Sequence, residues 1–249
     1  MSASSSFQKE TPFALLEQVP FFSGLSHNIL AYFIEHAREE KVPKGKLLAL
    51  QGDPAKYFYL VQEGWVKLFR ETLDGQEAVI DVLTTNNIFG ETAVFDGGHY
   101  SWSAQAVDDV RLMVWPTSIL QQQAQQHNQV AMNILRSTAL YREQRDQEIE
   151  HLKTQNAPQR IGCLLLRLCL AEQYKNNHAV VHLPYDKSLI ALRLGMKSET
   201  FSRALNTLKK ETGITIKGAA IHVPDVSKLS VFCCGTCSNE FPCNDLKQG

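Results

Sequence analysis

Between Lys197 and Arg203 the chain sets out side chains suited to hydrogen bonding with nucleic-acid bases and phosphates. An arginine fork such as Arg203 matches O6 and N7 of guanine. A carboxylate such as Glu199 accepts from N4 of cytosine, and the Ser202 hydroxyl serves either role. Lys197, Thr200, Lys209 and Lys210 suit phosphate oxygens, which fix position without specifying sequence. Glu199 and Arg203 also stand at i and i+4, the spacing of a pair that merely steadies an exposed helix, so residue types alone leave both readings open.

Sulfur forms a second group. Of six cysteines, Cys233, Cys234, Cys237 and Cys243 crowd into eleven residues near the C-terminus. Cys234-x-x-Cys237 brings two sulfurs within reach of one metal ion or cluster, and Cys243, after Pro242, closes a set of four; Asp245 or a residue of the long helix over 117–153 is an alternative ligand. Four thiolates suit an iron–sulfur cluster or a tetrahedral zinc ion, and thiol chemistry without a metal is the third reading. Structural disulfides are rare in the cytosol, which turns attention to metal or redox roles. Cys163 and Cys169 lie in the apolar run Ile161–Leu170 and read as core thiols.

The base-reading segment needs a scaffold, and Asp186–Leu205 supplies one. Two short helices, 185–192 and 198–211, meet at Gly195, where glycine permits a sharp turn. Leu189, Ile190, Leu194, Met196, Phe201, Leu205 and Leu208 lock the pair, and Ser198 is placed to cap the second helix and leave its first turn free. A helix over 159–174 and a strand over 180–183 precede them. A hairpin of 214–217 and 220–223 around Gly218 follows, in the order of a winged helix. Asn156-Ala157-Pro158 marks the break before this domain.

Upstream the texture differs. Helical spacing over 12–38 is broken at Pro20 and Gly24, with Ser26 as a candidate N-cap. Between Lys41 and Trp115 short apolar strands alternate with glycine-rich turns, the pattern of a small barrel or sandwich. Asp74-Gly75 reads as a type I′ hairpin turn. Thr117–Lys153 has no glycine or proline and reads as one long helix. Its apolar seam of Val130, Ile134, Leu135, Ala139, Leu140, Tyr141, Ile149 and Leu152 calls for a partner. The expected division is a sensor domain at 12–116, a dimerisation helix at 117–153, a DNA-binding domain at 154–226 and a cysteine-rich tail at 227–249. Residues 1–153 carry 13 basic against 19 acidic residues and 154–249 carry 12 against 7, so a polyanionic partner meets the rear. No apolar run approaches the roughly 18 to 20 residues of a membrane span, and Met1–Glu10 does not read as a signal peptide, which places the chain in the cytoplasm with no membrane partner.

Ser-Glu-Thr-Phe-Ser-Arg (198–203) resembles the recognition helix of the CRP/FNR family of regulators, and its Glu-x-x-Ser-Arg form is similar to the FNR and DNR branches, which read TTGAT-like half-sites. The likeness runs from about residue 12 to 225. It includes Phe89-Gly90-Glu91 and the Asn156-Ala157-x-x-Arg160 entry to the second domain. It implies an α+β chain: a cyclic-nucleotide-binding-like β-roll, a long dimerisation helix and a winged helix-turn-helix. A twofold dimer then sets two helices in successive major grooves, about 34 to 36 Å apart, on double-stranded DNA. RNA polymerase is a further partner if the chain activates, and no enzymatic activity is expected, since no nucleophile–base set or phosphate loop is present. The family's cyclic-nucleotide pocket pairs Gly-Glu with a later Arg-Ser. Gly90 and Glu91 match, but 97–106 holds no arginine, so a cyclic phosphate lacks its fork. Oxygen-sensing FNR proteins carry N-terminal cysteines that are absent here, while some relatives hold a cluster with C-terminal ones. The DNR likeness implies haem instead, with His27, His36, His99 and His127 available as ligands. The expected signal is redox, oxygen or nitric oxide. A cyclic-nucleotide-responsive regulator and a β-roll binding or assembly module without DNA function are the competing readings.

Overall fold

The computed structural model describes residues 12–95, 97–171, 176–182, 186–218, 220–235 and 241–243. Tyr174, Leu183, Tyr185, Cys237 and Asp245, all part of the readings above, lie outside them. The chain divides into two compact units within one helix, after Leu140.

In the first unit, α1 (Pro12–Gln18), a 3-10 turn (Pro20–Phe22) and α2 (His27–Glu35) precede eight strands. Ser26 is the N-cap of α2, although its side chain makes no capping bond. One antiparallel sheet has the order β1 (Arg38–Val42), β8 (Val110–Pro116), β3 (Tyr57–Glu63), β6 (Ile88–Phe89). The other runs β2 (Leu47–Ala49), β7 (Ser103–Ala106), β4 (Val66–Glu71), β5 (Glu77–Leu83). Side chains alternate across a strand, and both central strands of the first sheet use this fully. Tyr59, Val61, Leu112 and Val114 join Val66, Leu68, Ala104 and Ala106 of the second sheet in one core. Phe58, Leu60, Met113 and Trp115 face the other way, into a core with Phe22, Leu30 and Phe33. Trp115 stacks on Phe58 at 5.0 Å and its Nε1 donates to the Phe33 carbonyl at 2.6 Å, which ties the helices to the sheet.

Three expectations need correction here. Only Gly75 of Asp74-Gly75 takes a positive φ, +76°, so the turn is not type I′. Thr72 accepts from Gly75 and donates to Gln76, which closes a longer loop that the Thr72 hydroxyl braces from inside. The helix expected over 117–153 is two: α3 (Thr117–Gln126) and α4 (Asn128–Thr154). His127 between them is extended, at φ −132° and ψ 105°. Its N–H still bonds to Gln123, and its carbonyl accepts from Val130 and Ala131, so one residue ends one helix and starts the next. The apolar seam also splits. Val130 and Ile134 are consumed by the unit's own core, where the buried Asn133 donates to the carbonyls of Phe21 and Ser23 at 2.9 and 2.8 Å.

The second unit is built on α5 (Ala157–Ala171). Asn156 and Gln159 cap its start reciprocally: each side chain accepts from the other's backbone N–H, at 3.1 and 2.9 Å. Strand β9 (Ala179–His182), helices α6 (Lys187–Arg193) and α7 (Ser198–Thr212), and the wing β10 (Thr215–Lys217) and β11 (Ala220–Val223) follow. They form a three-stranded antiparallel sheet ordered β10-β11-β9 beside the helices. The stretch expected as the start of a tail is instead a helix, α8 (Val226–Cys234). Asp225 caps it by accepting from Lys228 N–H at 2.8 Å and holds Asn177 at 2.9 Å. Val226, Leu229 and Cys233, spaced for one helical face, enter the same core as Ile161, Leu165, Phe201 and Leu208. Among the described residues, no helix is long and apolar enough to cross a membrane.

The α5–α8 contact is close because Gly162 has no side chain. A Cβ there would sit 2.1 Å from Cys233 Sγ and 3.3 Å from Leu229 Cδ1. Gly162→Ala is therefore expected to lower the stability of this unit by about 1–3 kcal/mol through overpacking. Cys233→Ala in the same chain should recover part of that loss. Thermal unfolding of the two variants checks this; an unchanged melting temperature for Gly162→Ala contradicts it.

Candidate nucleic-acid interface

Helix α7 has two faces. Phe201, Ala204, Leu205, Leu208 and Thr212 are buried, at the steps of a single helical stripe. Lys197, Ser198, Glu199, Thr200, Ser202 and Arg203 are all exposed, on and around the first two turns. Burial of the first set compels exposure of the second. The Arg203 and Glu199 side chains are 80% and 90% exposed and stand 3.9 Å apart, so the pair foreseen at i and i+4 exists and both members remain open to another partner. Ser202 Oγ donates to the Ser198 carbonyl at 3.0 Å, which fixes the hydroxyl while leaving its lone pairs outward. The first-turn N–H groups, the positive end of the helix dipole and Lys197 together favour an anion.

One correction concerns the cap. Lys197, not Ser198, is the N-cap of α7, with extended backbone at φ −73° and ψ 153° and no side-chain bond; Ser198 is the first helical residue. Its hydroxyl is therefore not committed to capping.

The turn before α7 is set by α6. Asp186 caps α6 by accepting from Leu189 N–H at 2.9 Å. At the other end, Gly195 at φ +66° donates to Leu192 at 3.0 Å and Met196 donates to Ala191 at 2.9 Å. This pair of bonds is the Schellman arrangement, which needs a left-handed residue at that point, and glycine adopts it without a Cβ clash. Leu189, Ile190, Met196, Phe201, Leu205 and Leu208 are buried as expected, and Leu194 is half-buried against the same core.

The cysteines do not assemble in the same way. Cys233 is fully buried against Gly162, and burial, with Cys163 and Cys234 nearby, pushes its thiol well above the usual range. Cys243 is buried in the same core and Cys234 is half-buried. Cys237 lies outside the described residues, and among those described no three His, Cys, Asp or Glu side chains are grouped to hold a metal ion. In this arrangement Cys233 serves as a packing thiol. Cys169 is buried and Cys163 half-buried, as core thiols should be. Of the histidines considered for haem, His27 stacks on Phe13, His36 stacks on Tyr32, and both are exposed, as is His99; His127 sits half-buried at the α3–α4 junction.

In the β-roll, Glu91 is 2% exposed. Burial pushes its carboxyl up to about 7, against the pull of backbone N–H groups at Glu91 and Thr92. Around the same stretch Phe89 stacks on Tyr59 at 4.7 Å, Trp102 lies 5.4 Å from Tyr100, and Tyr100 donates its hydroxyl proton to the Tyr57 carbonyl at 2.6 Å. Residues missed from sequence include Glu148 of α4 and Arg193 of α6, which form an ion pair; the polar stretch Arg142–Glu148 held no periodic signal that could single them out.

The cyclic nucleotide-binding domain family matches residues 39–127, and the Crp-like helix-turn-helix domain family matches 159–232. A cyclic AMP receptor protein of Thermus thermophilus is 29% identical over 213 residues, covering 84% of this chain and 94% of its own. The nitrogen fixation regulation protein FixK of Rhizobium meliloti is 27% identical over 175 residues, covering 70% and 77%. The crystal structure of a putative cyclic nucleotide binding protein from Ruegeria pomeroyi is 32% identical, with a TM-score of 0.63, and the match covers 89% of this chain and 96% of that one.

Glu91 predicts a pH dependence. Unfolded, its carboxyl titrates near 4.5; folded, near 7. Between those values the folded chain holds a proton that the unfolded chain has released. Stability therefore falls as pH rises through this window and levels off above about 7. Glu91→Gln should remove that slope and gain about 2–3 kcal/mol over the parent at pH near 8, with little gain near pH 5. Thermal melts at the two pH values check this; parallel losses in both proteins count against it.

Proposed function

Because the chain belongs to the CRP/FNR family of transcription regulators, we propose that it works as a homodimer reading a palindromic DNA site through two copies of the leading turns of α7. The observation that carries this reading is the two-faced α7. Its inner stripe is locked in the core, and its outer face offers Glu199, Ser202 and Arg203 to bases and Lys197, Ser198 and Thr200 to phosphates. The relatives it resembles are regulators rather than enzymes. The Glu199-x-x-Ser202-Arg203 pattern supports TTGAT-like half-sites, and the proposed place of action is the cytoplasm.

Helix α4 supports the dimer. Met132, Leu135, Ala139, Arg142, Asp146 and Ile149 advance by alternating steps of three and four, and all six are exposed. That is the spacing of a seam between two helices, with the Arg142–Asp146 pair, at 3.9 Å, as a polar layer in its middle.

The proposed signal is redox, oxygen or nitric oxide. Support comes from the missing arginine in 97–106, the buried Glu91 carboxyl that desolvation raises to about 7, and the C-terminal thiols. An iron–sulfur cluster, haem and zinc are the groups to test; a cluster or haem would supply redox or gas-binding chemistry, and zinc would only brace the tail. Cyclic-nucleotide response is the second reading, favoured by the domain match over 39–127.

Arg203→Ala is expected to weaken binding to a TTGAT palindrome by about 1–3 kcal/mol per base contact and to flatten preference at one base pair per half-site. Affinity for scrambled duplex should stay unchanged. Fluorescence anisotropy at fixed salt measures both, and undiminished affinity with unaltered base preference removes the residue from the reading set. For the signal, protein purified without air should carry iron, sulfide or haem and should bind DNA equally well with and without millimolar cyclic AMP. A colourless protein whose DNA affinity rises with cyclic AMP reverses the assignment.

A further inference from the structure

The last turns of α4 are tied to the first helix of the helix-turn-helix. Glu148 holds two arginines: one carboxylate oxygen takes Nη2 of Arg193 in α6, and the other takes Nη1 of Arg145 at 2.8 Å. The Arg193 and Glu148 side chains are only 20% and 29% exposed. A pair so shielded, with hydrogen bonds at both carboxylate oxygens, holds geometry better than an open surface pair. One turn further along, Leu152 lies against the turn itself: a Cβ on Gly195 would come 3.3 Å from Leu152 Cδ2. A polar tie and an apolar contact, four residues apart on α4, thus grip the segment directly before α7. Helices α6 and α7 share one core through Ile190, Ala191, Phe201 and Leu205, so whatever orients α6 also orients α7.

We propose that the Glu148–Arg193 pair is a positioning element that sets the separation of the two recognition helices, and so selects the spacing between DNA half-sites. This rests on the dimeric reading above, in which α4 pairs with its twin. If α4 is the common axis, the angle at which α6 leaves it determines where each α7 arrives. Glu148 and Arg193 touch no base in this account. Their loss should leave each half-site contact intact while releasing the distance between the two.

The test uses the full-length protein and a set of duplexes with two half-sites separated by successive spacer lengths, plus one duplex with a single half-site. The parent should favour one spacer. Glu148→Gln, Arg193→Gln and the double variant should each reduce the ratio of affinities between the best and next-best spacer by about fivefold to tenfold. All three should be equal, because one pair is lost in every case. Binding to the single half-site should be unchanged, which also shows that the variants are folded. Retained spacing preference in the single variants, or losses that add in the double variant, overturns the proposal. A parent that gains nothing from a second half-site sinks the dimeric reading instead, an outcome separate from the other two.

Discussion

The burial of one stripe of α7 governs the functional end of this molecule. Phe201, Ala204, Leu205 and Leu208 can satisfy the hydrophobic effect only by turning inward. A helix is rigid about its axis, so the side chains roughly half a turn away have one direction left. Glu199, Ser202 and Arg203 are therefore presented by what lies behind them. The Schellman turn at Gly195 and the Asp186 cap serve the same end, because they bring α6 in at an angle that closes the core over that stripe. Apolar packing supplies the energy, and polar groups on the far side inherit the orientation.

The amino-acid sequence made some of this readable and hid the rest for identifiable reasons. The helix-turn-helix was open to inspection because its period, its glycine and its polar face agree. The strands of the β-roll were readable wherever burial alternates, as in β3 and β8. Strand β1 gives no apolar alternation to read, because Arg38–Lys41 is charged throughout; its place is set by pairing with β8. The break at His127 carries no glycine or proline; it arises from Leu120 and Val130 both reaching the same core. The α8 helix is masked in the sequence by its cysteines, whose clustering reads as a ligand set. Asp225 followed by Val226, Leu229 and Cys233 was the signal of a capped amphipathic helix.

The β-roll and the recognition helix follow opposite rules about charge. At Glu91 burial drives the carboxyl up to about 7, while backbone N–H groups at Glu91 and Thr92 pull it back. At the head of α7 charge is left in water, where desolvation costs nothing until a partner arrives.

Cys233 in its notch over Gly162 has a last implication, for where this protein may be cut. The wing ends at Val223, and a cut soon after it would seem harmless. Yet such a fragment would lose Val226, Leu229 and Cys233, and with them the wall against which α5 rests. Since α5 in turn backs Leu208 of α7, the excision would leave a recognition helix with no floor. Any autonomous piece of the rear half must therefore extend at least through Cys234, and what looks like an appendage is the keystone of its arch.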